Sequence, residues 1–343
     1  MRKQRFHEES AVLGIKLPPT IPSSSTSVDE AAEIIRILVD KRHAYWHEGD
    51  VFFDPLTFDG FGKLFRLDMV RWPKKKVRFR RDTYNGNRWN LGDFILWHGH
   101  RNGDLAVWDT AIGKGRPSWN VQDPAMILKH LGEQVDINCG GIDNIYRHHD
   151  YNIAIMEALS GKEYARFYLH GAHLIVDGKT MSKSRGNILY PEDVTGGGVG
   201  AHHLRYFLTS TYYRKRLNFT EQNLSRTMHE LHALRADAAR LVGKPESAAA
   251  VEGGRDDTRQ AGRRGTRGLA GLETEELIDR LTADFEERMN DDLRLGEAAE
   301  RVRVLIGELV RRKGRGQIGP EETRRIEQAL RRIDSVMGVI FAE

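Results

Sequence analysis

The stretch from Val135 to Val176 narrows the possible folds more than any other part of the chain. Strand-like apolar segments alternate there with a glycine turn and a helix-like segment. Gly140-Gly141-Ile142-Asp143 closes the first strand, His148 to Ser160 reads as a helix, and Arg166 to Val176 contains the second strand. That order predicts a parallel α/β arrangement. The second strand ends in the apolar run Ala172-His173-Leu174-Ile175-Val176 and empties into Gly178-Lys179-Thr180-Met181-Ser182-Lys183-Ser184-Arg185-Gly186-Asn187. In such a loop Lys183 is a mobile point charge. Ser182, Ser184 and the backbone N–H groups near Gly186 are donors for phosphate oxygens. A solvated turn has the same composition, so the loop by itself does not decide between the two.

Length and composition set the outer limits. A chain of 343 residues can bury a sizeable core and suggests two or three domains. No apolar run approaches the roughly 20 residues that span a bilayer. The first residues lack the pattern of a secretory signal. A soluble, cytoplasmic protein without a membrane partner is expected. The single cysteine, Cys139, excludes an intramolecular disulfide and a multi-cysteine metal site, and a buried apolar filler is its expected role. The formal charge is +4, with 53 Lys+Arg against 49 Asp+Glu, which leaves room for local basic faces. Solvated helix faces account for most such runs.

Along the chain, Glu8 to Pro22 reads as the tail of a helix followed by a proline-rich turn. Ser27 is a candidate N-cap for an amphipathic helix with Ala31, Ile34, Ile35 and Leu38 on its apolar stripe. Short alternating segments such as Ala44-Tyr45-Trp46 and Gly49-Asp50-Val51-Phe52-Phe53 predict a small mixed insertion over about 42–115. Its basic run Arg71 to Arg81, with Trp72 and Phe79 interleaved, is either an RNA contact or a solvated loop. The rest is helical: a first bundle helix within 216–246, a flexible Gly/Arg/Ala linker over 247–271, and a helical bundle over 272–343, with helices expected at Glu273 to Arg312 and Pro320 to Phe341.

The lysine loop, Gly140-Gly141-Ile142-Asp143, His148-His149 and Gly115-Arg116-Pro117-Ser118-Trp119, in this order and spacing, resemble a class I aminoacyl-tRNA synthetase catalytic domain, most closely that of cysteinyl-tRNA synthetase. The loop corresponds to the KMSKS signature with Thr180 in place of its first lysine, and Asp93-Phe94-Ile95-Leu96-Trp97 to a signature of the connective insertion. The resemblance runs from roughly Glu8 to Tyr213 and more loosely beyond it, where Met289-Asn290-Asp291-Asp292-Leu293 is similar to a family helix. It implies an α/β fold: an incomplete Rossmann-like nucleotide fold over 1–215, carrying the insertion and followed by an α-helical, tRNA-binding-like bundle.

The resemblance also implies chemistry. Class I synthetases let an amino-acid carboxylate attack the α-phosphate of ATP, with Mg²⁺, before transfer to tRNA, so their catalysis is mostly positioning and charge stabilisation. Lys183 would be the catalytic cation that stabilises pyrophosphate, with Met181, Ser182 and Ser184 beside it. Asp143 would accept hydrogen bonds from the ribose, Gly140 and Gly141 would admit the base, and Leu174, Ile175 and Val176 would line the adenine. Trp119, Asp123, His148 and Asn152 would form the amino-acid pocket, where cysteinyl enzymes hold the substrate thiolate on zinc. His148 keeps the histidine position of that site. Asp123 and Asn152 stand where a cysteine and a glutamate are expected, so tightly held zinc is not expected. The HIGH signature has no counterpart; His98-Gly99-His100 is the nearest match and sits in the insertion.

The first half-fold and a terminal anticodon-reading domain are therefore expected to be missing, and a partner is expected in their place: a separately encoded HIGH-bearing half or a second copy of the chain. The function read from all this is an ATP-dependent cysteine–tRNA ligase, split or degenerate. The alternatives are a ligase joining activated cysteine to a small amine, and a non-catalytic nucleotide- or RNA-binding paralogue.

Overall fold

The computed structural model describes residues 2–80, 91–243, 269 and 271–342. Arg81 and nearly all of the 247–271 linker lie outside them. The chain forms two compact units, Pro18–Gly171 and a second unit built from Met1–Leu17 with Ala172–Glu343.

The second unit opens the chain with α1 (Arg2–Val12). The Pro18–Gly171 unit then begins with α2 (Val28–Asp40), whose Ala31, Ile34, Ile35 and Leu38 are buried as the helical spacing requires. Ser27 stands at its N-cap, but the hydroxyl donates to the carbonyl of Ser23 at 3.4 Å and caps nothing. A mixed sheet follows, from β1 (Ala44–His47), β2 (Asp50–Phe53), β3 (Arg78–Phe79), β4 (Asp93–Gly99), β5 (Trp108–Thr110) and β6 (Gly113–Pro117). Its order is β1-β2-β4-β6-β5, with β3 added to β4. Six of the seven residues of β4 are buried, which explains the unbroken apolar run Phe94 to Trp97.

After α3 (Trp119–Leu131) come β7 (Val135–Gly141), α4 (Asp150–Ser160) and β8 (Ala165–Gly171), a βαβ unit with β7 and β8 parallel from Val135↔Ala165 to Gly141↔Gly171. The helix expected from His148 starts two residues later. Residues 145–149 form a separate π-type turn interrupted at Tyr146 (ψ 143°) and Arg147 (φ 73°). A bulky residue held in the left-handed region costs energy that the surrounding packing must offset.

Cys139 is exposed, contrary to the buried-filler expectation. The cause is strand parity: Cys139 shares a face of β7 with Ile137, and Ile137 and its register partner Phe167 are 55% and 64% exposed.

In the other unit β9 (Leu174–Val176) pairs antiparallel with β10 (Lys179–Thr180) and parallel with β11 (Leu217–Phe219). The segment Arg166 to Val176, expected to contain one strand, thus holds two, divided at 172–173. Helices α5 (Pro191–Thr195), α6 (Ala201–Ser210) and α7 (Glu221–Val242) precede the bundle helices α8 (Thr274–Asn290), α9 (Leu295–Gly314) and α10 (Pro320–Met337). Leu281, Leu305, Ile306, Ile326 and Leu330 are central to the bundle core. The helix expected without interruption from Glu273 to Arg312 breaks between α8 and α9, where Asp292 and Leu293 both take φ 57°. Asp292 accepts bonds there from the Tyr212 hydroxyl, the Tyr213 hydroxyl at 2.7 Å and Arg214 Nε at 2.6 Å, so its carboxyl is held well below the usual range, mainly by Arg214.

Candidate active site

In the Pro18–Gly171 unit the residues expected at the amino-acid pocket are placed by the contacts of β4 with the start of α3. Ser118 caps α3 by accepting from Asn120 N–H at 3.1 Å, and its own hydroxyl donates to Ile95 O at 2.6 Å. Asn120 Nδ2 reaches the same carbonyl at 2.8 Å. With the helix start fixed, the i,i+4 spacing puts Trp119 and Asp123 on one face. Trp119 is 46% exposed, which places it on the surface of the unit rather than in its core.

Asp123 Oδ2 lies 2.8 Å from His148 Nε2, and Trp119 Nε1 is 3.3 Å from the same nitrogen. A carboxylate accepts only, so the shorter contact requires His148 to carry its proton on Nε2. His148 Nδ1 and Asn152 Oδ1 are buried and have no hydrogen-bond partner among the described residues. Trp119, Asp123 and His148 are thus brought together. The residues do not fit zinc: the accessible imidazole nitrogen is already committed to Asp123, no thiolate is near, and a carboxamide oxygen is a weak ligand. Among the described residues no cluster of three or more His, Cys, Asp or Glu is arranged to hold a metal.

Behind the glycine turn is a pair of imidazoles whose contact the sequence reading did not anticipate. His149 Nδ1 and His170 Nε2 are 2.8 Å apart, both residues buried. Burial, and then the neighbouring His170, lower the His149 pKa to about 4. The ring lies over Gly140: a Cβ there would stand 2.7 Å from His149 Cε1 and 2.9 Å from Nε2. Gly141 in turn lies beneath Asp143, since its Cβ would meet Asp143 Oδ1 at 2.5 Å. Asp143 is exposed and makes no hydrogen bond or ion pair among the described residues. The tandem His148-His149 and the alternation that turns His170 inward were the available signals. Asp150, buried next to the pair, accepts the N–H groups of Leu64 and Phe65 at 3.0 and 3.1 Å. Burial raises its pKa to about 6.

In the other unit the lysine loop is braced from within. Asn187 Oδ1 accepts Ser182 N–H at 2.9 Å and Asn187 Nδ2 donates to Thr180 O at 3.2 Å, closing the loop on itself. Arg185 Nη1 adds a bond to Thr180 O at 3.1 Å, and Gly186 supplies the left-handed turn at φ 63°. Lys183 is exposed, and its ammonium has no partner among the described residues. Ser182 and Ser184 hydroxyls lie 3.2 Å apart beside it. Met181 and Leu174 to Ile175 are half-buried, and Val176 is buried on β9.

Residues 1–229 match the family described as tRNA synthetases class I (C) catalytic domain. A cysteine–tRNA ligase of Chlamydia abortus is 32% identical over 98% of this chain and 67% of its own length. That of Brachyspira hyodysenteriae is 37% identical over 66% of this chain and 48% of its own length. The chain spans about half to two thirds of the curated relatives it matches. Among solved structures, a methionyl-tRNA synthetase of Mycobacterium tuberculosis superposes with a TM-score of 0.59 at 15% identity, covering 98% of this chain and 76% of that one, and so shares the fold. With residues 1–229 matched by the family model and a relative 32% identical over 98% of the chain, the chain belongs to the class I tRNA synthetases of the cysteinyl type.

Proposed function

We propose that this chain carries the ATP-handling part of a cysteine–tRNA ligase, activating an amino acid with ATP and Mg²⁺ for transfer to tRNA. The observation that carries this reading is the pairing of two uncommitted charges with prebuilt supports: Lys183 on a self-braced loop, and Asp143 on a turn whose glycine leaves room for its carboxylate. The amino-acid carboxylate attacks the α-phosphorus of ATP, forming an acyl–phosphate bond as the α–β anhydride bond breaks and pyrophosphate leaves. Lys183 stabilises negative charge on the departing phosphates, which a rigid loop does without reorganising. Asp143 accepts from ribose hydroxyls, Gly140 and Gly141 border the base, and Leu174, Ile175 and Val176 offer it an apolar wall.

The amino acid is assigned as cysteine on the strength of the relatives. The Asp123–His148 hydrogen bond, occupying the position of a metal–ligand contact, favours a second reading, a nucleotide- or RNA-binding relative that no longer aminoacylates. The helical bundle is proposed as the tRNA-facing part. The exposed Ile137–Phe167 face supports a covering partner, either a HIGH-bearing half or a second copy.

The test is calorimetric titration of ATP·Mg²⁺ into the chain and into Lys183→Ala and Asp143→Ala. Weakening by about 1–3 kcal/mol in each variant is expected for a lost charge-assisted contact. No binding at millimolar ATP, or binding that both substitutions leave untouched, refutes the nucleotide reading.

A further inference from the structure

Beside the break that divides α8 from α9, a cleft of about 630 Å³ opens in the helical unit, bordered by the corner after α6, the last turn of α8 and the first turns of α9. Glu297, Glu300, Arg301 and Val304 line one side of it, at the i, i+3, i+4, i+7 spacing of a single helical face. Gly296 brings that helix against the end of α6 backbone to backbone, since a Cβ there would overlap Ser210 O.

Four cations border the cleft, Lys215, Arg288, Arg294 and Arg301, against two carboxylates, Glu297 and Glu300. Both carboxylates are already held. Glu300 accepts Arg303 Nε at 2.7 Å and Nη2 at 2.6 Å, and Glu297 accepts Arg294 Nη1 at 3.0 Å. Arg294 is shared with Asp291 at 2.9 Å. Arg301 gives its Nε to Asp284 at 2.6 Å, and its Nη groups have no partner among the described residues. Lys215, exposed, and Arg288, half-buried, form no ion pair or side-chain hydrogen bond among the described residues. The lining therefore carries unbalanced positive charge on donors that water can reach, and a cleft of one sign concentrates anions.

The walls are set against each other by one carboxylate. Asp292, at the break, accepts Tyr212, Tyr213 and Arg214, and Lys215 N–H closes the corner on Tyr212 O at 2.8 Å. The Lys215 side is thus fixed relative to the Arg288 and Arg294 side. The two left-handed residues 292 and 293 are strained positions of the kind that persist where the surroundings over-determine them. Tyr212 is the aromatic side chain on the lining, and it is already occupied: its ring lies under the Arg294 guanidinium at 5.2 Å and its hydroxyl is held by Asp292. Charge, rather than base stacking, is what the cleft offers a ligand.

We propose that this cleft binds successive phosphate groups, as an anion site that shares no lining residue with the lysine loop. Lys215 and Arg288 supply the free charge, and the Nη groups of Arg301 supply a planar pair of donors for phosphate oxygens. The phosphates belong to a free oligophosphate or to the backbone of an RNA strand. The RNA source rests on the tRNA-facing reading of the bundle; the oligophosphate source does not.

The experiment is calorimetric titration of tripolyphosphate, and anisotropy titration of a labelled RNA hairpin, into the full chain carrying Lys183→Ala, which removes the lysine loop's charge, without divalent cations. Arg288→Gln and Lys215→Gln, each added to that background, are expected to weaken binding about fivefold. Each should also lower the salt dependence of hairpin binding by about one ion. Glu297→Gln should strengthen binding about threefold, the size of one exposed charge–charge contact, a gain that a misfolded variant would not produce. Losses confined to tripolyphosphate would assign the site to a free oligophosphate, losses confined to the hairpin to a strand, and losses in both to phosphates from either source. Affinities that ignore Arg288→Gln and Lys215→Gln, a weaker complex in Glu297→Gln, or no binding of either ligand at about 50 mM salt would overturn the proposal. ATP titration of the parent chain tests the lysine loop by itself, so the two sites fail separately.

Discussion

Replacing Gly140 with alanine separates two reasons for a glycine at the turn. Its backbone lies outside the left-handed region, so conformational freedom is not the reason. The reason visible in the fold is the His149 ring, which the new methyl would approach to 2.7 Å. His149 is 4% exposed and cannot swing away without breaking its 2.8 Å bond to His170. Overpacking of this kind costs about 1–3 kcal/mol, and a broken buried hydrogen bond about 1 kcal/mol more. Alanine recovers about 0.4–1 kcal/mol by restricting the unfolded chain. The net expectation for Gly140→Ala is a loss of about 2 kcal/mol, read as a lower urea midpoint with unchanged slope. The cycle with His149→Ala should return a coupling of about 1–2 kcal/mol, because the double variant has no ring to strike. An alanine variant as stable as the parent, or a coupling near zero, would show that the ring does not constrain the turn. The proposed close approach of a nucleotide base would then be the remaining explanation for glycine.

Two further perturbations follow from the electrostatics. Asp150 titrates near 6 when folded and about 3.8 when unfolded, so the folded chain holds the extra proton and this group's stabilisation falls as pH rises through that window. His149, near 4 when folded and 6.5 unfolded, acts in the opposite sense. Asp150→Asn should therefore steepen the loss of stability between pH 6.5 and 4.5 by about 2 kcal/mol; urea midpoints at the two pH values that fall in parallel with the parent would contradict this. Asp292→Asn should destabilise the helical unit by about 1 kcal/mol after allowing for its partial exposure. A thermal midpoint unmoved by that change would mean the Tyr212–Tyr213–Arg214 contacts contribute nothing net.

The parts of the fold set by periodicity were legible in the sequence. The apolar stripe of α2, the buried run of β4 and the βαβ order of 135–171 all follow from spacing and composition. Breaks within elements were not legible. The turn at 145–149 depends on Arg147 adopting a backbone conformation that its side chain disfavours, and only tertiary packing can hold it there. The division of α8 from α9 rests on Asp292, whose partners are about 80 residues away in sequence. Cys139 was misread because cysteine as a residue type is usually buried, whereas its exposure depends on strand parity and on which face is covered. At the site, residue types showed where charge would lie. They did not show that Asp123 binds His148, nor that His149 and His170 pair behind the glycines.

The Asn187 bonds across the lysine loop have a consequence for the entropy of ligand binding. A flexible cationic loop must be ordered when its ligand arrives, and that ordering is subtracted from affinity. Here Asn187 fixes the loop's two ends against each other during folding, at Ser182 N–H and Thr180 O. That part of the ordering is in place before any ligand is met. Charge and much of the order are thus held by different residues, Lys183 on one side and Asn187 with Arg185 on the other, so weakening the brace need not remove the charge. The loop would then bind with the same enthalpy and a larger entropic penalty.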